Sequence, residues 1–231
     1  MRRIARVLAI LVGALVLAVV VAQGWFLAHV LWWDRYNPGV TSVMAARLEA
    51  LRAKHPGAEL KYRWVDYDRI STHLKRAVIA AEDAKFIDHE GFDWEGIQRA
   101  LEKNQHRGKV VAGGSTISQQ LAKNLLLSGE RSYLRKGQEA IVTVMLESVM
   151  SKRRILELYL NVAEWGEGVF GAEAAARHYF GVGAANLAPE QAARLAAMLP
   201  RPRFYDRNRG SKYLATYSER ILARMPSAQV P

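Results

Sequence analysis

The chain has 231 residues, with 33 Lys and Arg against 22 Asp and Glu, for a formal charge of +11. That surplus points to an anionic partner such as phospholipid, nucleic acid or a phosphorylated substrate. The lack of cysteine excludes a disulfide framework and a thiolate metal site, and the length allows one membrane anchor plus one domain of roughly 190 to 200 residues.

Arg2, Arg3 and Arg6 precede a stretch from Val7 to Trp33 that holds no Lys, Arg, Asp or Glu and ends in Trp25, Trp32 and Trp33. About 20 apolar residues cross a bilayer, basic residues stay on the cytoplasmic side, and tryptophans favour the interface. Residues 1–33 therefore read as a cytoplasmic tip and a retained single-pass anchor, with the remainder outside. The stretch is longer than the core of about 7 to 15 residues in a cleaved signal, and no small-residue cleavage site precedes the tryptophans.

Asp34 to Gly39 reads as a turn, because Pro38 and Gly39 punctuate and the charges return. Residues 34–60 form a membrane-proximal region with a helix over 44–54, stopped by His55-Pro56-Gly57, and an extended run over 60–65 follows. Beyond Ile70 the chain is rich in Ala, Leu, Glu, Lys, Arg and Gln without clear strand alternation. Residues 61–225 are thus expected to be a mostly α domain, and 226–231 a frayed tail.

Three motifs carry the chemistry. The first is Glu82-Asp83-Ala84-Lys85-Phe86-Ile87-Asp88-His89-Glu90-Gly91. A helix over 77–86 puts Glu82 on one face with Val78, Ile79 and Phe86, so its carboxylate is partly desolvated and shifted toward the range a general base on a hydroxyl needs. His89 reads as a helix-end residue.

The second motif follows Gly108-Lys109-Val110-Val111-Ala112-Gly113-Gly114, a glycine-bounded segment suited to a flap or an ordinary loop. Thr116 with Gln119 makes a capping-box start, so 115–127 is expected to be helical with Ile117, Leu121 and Leu125 inward. Gln119, Gln120, Lys123 and Asn124 then lie on other faces, and a lysine with amides three and four residues before it suits phosphate and sugar oxygens.

The third motif sets Arg135 and Lys136 four and three residues before Glu139 on a further helix. With Lys123 and Arg131 nearby in sequence, these cations form a surround suited to a phosphate leaving group, and they keep Glu139 charged. A fourth stretch, Ile155-Leu156-Glu157-Leu158-Tyr159-Leu160-Asn161, reads as scaffold, with Glu157 either steering a cation or laddering with Arg153 or Arg154.

In this order the motifs resemble one family, the membrane-anchored monofunctional peptidoglycan glycosyltransferases, over Trp64 to about Tyr205. The departure is Leu199-Pro200-Arg201-Pro202, where the family spaces its prolines more widely. The resemblance implies a lysozyme-like helical glycosyltransferase domain that polymerises lipid II, a disaccharide-peptide on undecaprenyl diphosphate, by inverting transfer. Glu82 is implied as the base on the acceptor GlcNAc 4-hydroxyl, and Lys123 and Arg131 as the diphosphate clamp with Arg135 and Lys136 in support. Glu139 is implied as the second acid, which assists departure of the leaving group alone or through a divalent metal, Mg2+ or Mn2+. Ser115, Gln119, Gln120 and Asn124 match substrate-positioning sites, and Arg99 a donor-site cation. Implied partners are lipid II, the growing lipid-linked glycan, membrane lipid, other cell-wall synthases and division proteins, with no nucleic acid. The implied location is the bacterial inner membrane with a periplasmic catalytic domain. A lysozyme-like hydrolase or lytic transglycosylase is the alternative, but cleaving a polymer gives four clustered cations no purpose.

Overall fold

A computed structural model describes residues 2–109, 113–127 and 132–231. The chain divides at Pro38. The first unit is helix α1 (Arg2–Arg35), whose 34 residues have a mean hydropathy of 2.9 in their most apolar window. At 1.5 Å per residue it is about 50 Å long, ample for a hydrocarbon core of about 30 Å. Its length and composition are those of a single-pass membrane anchor.

The second unit, Gly39–Pro231, is mostly helical. Helix α2 (Ser42–Arg52) is capped by the Thr41 hydroxyl and precedes a short strand β1 (Lys61–Tyr62). Helices α3 (Thr72–Glu82), α4 (Trp94–Arg107), α5 (Ile117–Leu126), α6 (Tyr133–Val149) and α7 (Lys152–Val162) follow. The hairpin β2 (Glu164–Gly166) and β3 (Val169–Phe170) comes next, then α8 (Ala172–Phe180), α9 (Pro189–Met198), α10 (Pro202–Arg207) and α11 (Lys212–Arg224).

The core is built where apolar stripes of these helices meet: α3 packs on α9 and α11, and α5 packs on α6 and α7. Ile117, Leu121 and Leu125 of α5 are buried, as the sequence spacing predicts. Trp165, Tyr159, Phe86 and Phe170 are the largest fully buried side chains, each worth about 1.5–3 kcal/mol or more in removed apolar surface.

Three features depart from the sequence reading. The extended run expected over 60–65 holds β1, which pairs parallel to β3, but the antiparallel β2–β3 hairpin is not expected from sequence, because its alternation is too short to signal strands. The Asn161 side chain anchors the segment after β1, accepting from Val65 N–H and donating to Val65 C=O, both at 2.9 Å. The helix expected to continue to Phe86 ends at Glu82, because Asp83 turns to φ −161° and ψ 75°. The tail over 226–231 is packed rather than frayed: Ala228 is buried, and the Tyr67 hydroxyl donates to Pro231 C=O at 2.6 Å.

Candidate active site

The end of α3 fixes the first acid. Glu82 is the last residue of that helix and partly buried, at the negative end of the helix dipole. Burial pushes its carboxyl above the ordinary Glu value; a hydrogen bond from Gln120 and the charge of Lys123 oppose the rise, and Asp83 adds to it. Gln120 Nε2 donates to Glu82 Oε2 at 2.7 Å, and the Tyr159 hydroxyl donates to Gln120 Oε1 at 2.9 Å.

The neighbouring acid is turned the other way. Asp83 is buried; its Oδ1 meets His89 Nε2 at 2.9 Å, and its Oδ2 accepts the Ile117 N–H at 3.0 Å. His89 Nδ1 accepts from Gly91 N–H at 3.1 Å, which assigns the ring proton to Nε2, facing Asp83. His89 is therefore a brace between two loops and not a helix-end residue. Thr116 completes the join, donating to Gly91 C=O at 2.7 Å while forming the capping box with Gln119. Lys152 reinforces it, donating to His89 C=O at 2.5 Å and pairing with Glu147 at 2.8 Å, and Glu147 accepts from the Ser118 hydroxyl. The first two motifs are thus one hydrogen-bonded unit that presents Glu82 to a small hollow and Ser115, Gln119, Gln120 and Lys123 to open space.

That space is a cleft of about 680 Å³ lined by Ser115, Gln119, Gln120, Lys123, Arg135, Lys136 and Glu139, together with Gly113, Ser132 and Tyr133. A smaller hollow of about 150 Å³ shares Gly113 and Ser115 with it and is lined by Glu82, Asp83 and, from α11, Arg224. The Ser132 hydroxyl caps α6, whose first turns carry Arg135, Lys136 and Glu139. Glu139 is buried and paired with Lys136. Lys123 lies within the fields of both Glu139 and Glu82; burial pulls its ammonium below the usual Lys value, Glu139 offsets this, and Arg135 and Lys136 add to it. Arg135 Nε is buried without a hydrogen-bond partner among the described residues, a donor held ready in a cationic cleft.

Of the residues singled out by sequence, the cleft gathers Ser115, Gln119, Gln120, Lys123, Arg135, Lys136 and Glu139, with Glu82 in the adjoining hollow. Gln119 spends its side-chain oxygen on the Thr116 N–H, so that part of it serves the cap. Asn124 is not among the lining residues. Arg99 lies on α4, 60 % exposed, 3.4 Å from Glu95 and 3.7 Å from Asp93. Arg131 and residues 110–112 of the glycine-bounded segment lie outside the described residues. Glu157 is structural, accepting from Tyr67 N–H at 2.7 Å and from Arg154 at 2.6 Å. Sequence reasoning did not single out Tyr133, Arg224 or Tyr159 for the site; Tyr159 sits inside the fourth motif, but its partner is 39 residues away.

The metal expectation finds no supporting donor set. Glu139 is a single carboxylate among Lys123, Arg135 and Lys136, and no group of three His, Cys, Asp or Glu suited to a metal occurs among the described residues. These residues do not fit a protein-held divalent ion.

A lysozyme-like helical domain, with one desolvated acid beside a cation-lined cleft and a second acid within it, defines a glycan-handling enzyme. The transglycosylase family profile matches residues 49–226. A biosynthetic peptidoglycan transglycosylase of Dechloromonas aromatica is 62% identical over 231 residues, covering 100% of both chains. Proteins of the same name are 61% identical in Aromatoleum aromaticum, over 100% of this chain and 98% of that one, and 55% identical in Chromobacterium violaceum, over 98% and 99%. The chain belongs to the transglycosylase family.

Proposed function

We infer that this protein is a peptidoglycan polymerase that extends glycan chains from lipid II by inverting transfer, releasing undecaprenyl diphosphate. The observation that carries this reading is the pairing of Glu82, its carboxyl raised by burial, with a cleft holding Lys123, Arg135 and Lys136. The relatives' shared name, biosynthetic peptidoglycan transglycosylase, supports the same direction of chemistry.

In this mechanism Glu82 accepts the proton of the acceptor GlcNAc 4-hydroxyl as that oxygen attacks C1 of the lipid-linked MurNAc. The C1–O bond to the diphosphate breaks on the opposite face, and the departing charge is met by Lys123, Arg135 and Lys136, with Arg131 assigned to the same clamp. Glu139 holds Lys136 and balances Lys123, which keeps the cations clustered despite their mutual repulsion. Ser115, Gln119, Gln120, Asn124 and Arg99 are the assigned substrate-positioning residues. No step is routed through Mg2+ or Mn2+.

The anchor places the domain at the bilayer that carries the substrate. The inner membrane, with the N-terminus cytoplasmic and the catalytic domain periplasmic, is the location this reading requires, and membrane lipid, cell-wall synthases and division proteins are its expected neighbours. Detergent-purified protein incubated with fluorescent lipid II should yield a lysozyme-sensitive polymer that Glu82→Gln does not make. Cleavage of preformed glycan without synthesis would move the protein to the hydrolase class.

A further inference from the structure

We propose that Tyr159 is a positioning residue for the transfer reaction: from beneath the cleft it holds the Gln120 amide so that its NH2 faces Glu82, and so sets the basicity of that carboxylate. The inference rests on the reading of Glu82 as the base.

A carboxamide has one donor end and one acceptor end, and either can face Glu82. An ionised Glu82 only accepts, so the productive arrangement presents Nε2 to the carboxylate, as seen at 2.7 Å, whereas the flipped amide sets oxygen against oxygen. What selects between the two is the other end of the amide. Its Oε1 accepts from the Tyr159 hydroxyl at 2.9 Å, and Tyr159 is only 1 % exposed on α7. Burial first, and then the charges of Glu82 and Asp83, push the Tyr159 hydroxyl far above its ordinary value, so it remains a donor throughout the working pH range. The bond to Gln120 uses only Glu82 Oε2, which leaves Oε1 for the incoming hydroxyl. Gln120 comes from α5, Tyr159 from α7 and Glu82 from α3; the chain therefore ties three helices together at one carboxylate.

The test is direct titration of the Glu82 carboxyl by 13C NMR in protein labelled at the Glu side-chain carboxyl carbon, with the signal assigned by its loss in Glu82→Gln. Tyr159→Phe keeps the ring and removes only the donor; it should raise the Glu82 midpoint by roughly one pH unit, the size of one lost hydrogen bond to a charged group. The acid limb of kcat/KM should move by the same amount. Gln120→Ala should raise the midpoint as well, and adding Tyr159→Phe to it should change nothing further. A wild-type midpoint in Tyr159→Phe, or full additivity in the double variant, would overturn the proposal. Polymer made by Glu82→Gln would instead remove the base assignment while the titration still reported on the hydrogen-bond chain.

Discussion

His89 Nε2 and Asp83 Oδ1 lie 2.9 Å apart, and both side chains are almost wholly buried, at 8% and 2% exposure. Because the other oxygen of Asp83 takes the first N–H of α5, this contact fixes the distance between the helix ending in Glu82 and the helix carrying Gln120 and Lys123. The pair thus sets the site's geometry without facing the cleft.

Asp83→Ala should cost about 2–3 kcal/mol of stability, since it leaves the His89 ring N–H and the Ile117 amide without the carboxylate that now accepts from both. Thermal unfolding should show the loss, and polymerisation should fall with it because α5 loses its anchor. An unchanged midpoint would mean that water replaces the carboxylate.

Glu82→Gln should lower polymerisation by about 10²- to 10⁴-fold, the usual contribution of a general base, while leaving the fold intact. It should also stabilise the protein near neutrality. The folded-state value of Glu82 lies above its unfolded value, so ionising it costs more in the folded protein. Wild type therefore loses stability relative to the variant as pH rises from the ordinary Glu range through the raised value, and the two converge below about pH 4. Unfolding midpoints across pH check this; equal midpoints throughout would mean the carboxyl is well solvated.

Lys123→Ala and Arg135→Lys should each weaken use of the lipid-diphosphate donor by about 10- to 100-fold in kcat/KM, the scale of one hydrogen bond to a charged group. Arg135→Lys keeps the charge but loses the Nε donor that now lacks a partner. Donor kinetics matching wild type would remove these side chains from the clamp.

Glu139→Gln should be severely impaired in turnover, because Lys136 loses its partner and Lys123 its balancing charge. Initial rates with saturating lipid II are the measurement, and normal turnover would reduce Glu139 to a helix ion pair.

Gly91→Ala should destabilise by about 1–3 kcal/mol. Gly91 sits at φ +91°, and an added Cβ would fall 2.8 Å from Thr143 Cγ2 and 3.1 Å from Glu147 Cγ. Chemical denaturation checks this, and a neutral result would require α6 to yield.

The sequence by itself determined the anchor, the helical class, and the start and inward face of α5, because hydrophobic period, charge-free length and capping chemistry are local properties that a chain displays without folding. It also singled out Ser115, Gln119, Gln120, Lys123, Arg135, Lys136 and Glu139 of the cleft, since acids, cations and amides at helical spacing are legible in one dimension, but not Tyr133 or Arg224. Only the tertiary structure decided that α3 stops at Glu82, that Asp83 and His89 brace the site, and that Tyr159 stands behind Gln120. Each depends on partners between 6 and 39 residues away, and Asp83 leaves the helix for bonds to His89 and Ile117 that no local propensity encodes. The β2–β3 hairpin was hidden for the same reason: unlike the extended run that holds β1, strands of two or three residues here carry too little alternation to read, and pairing across the fold, not their own composition, makes them strands.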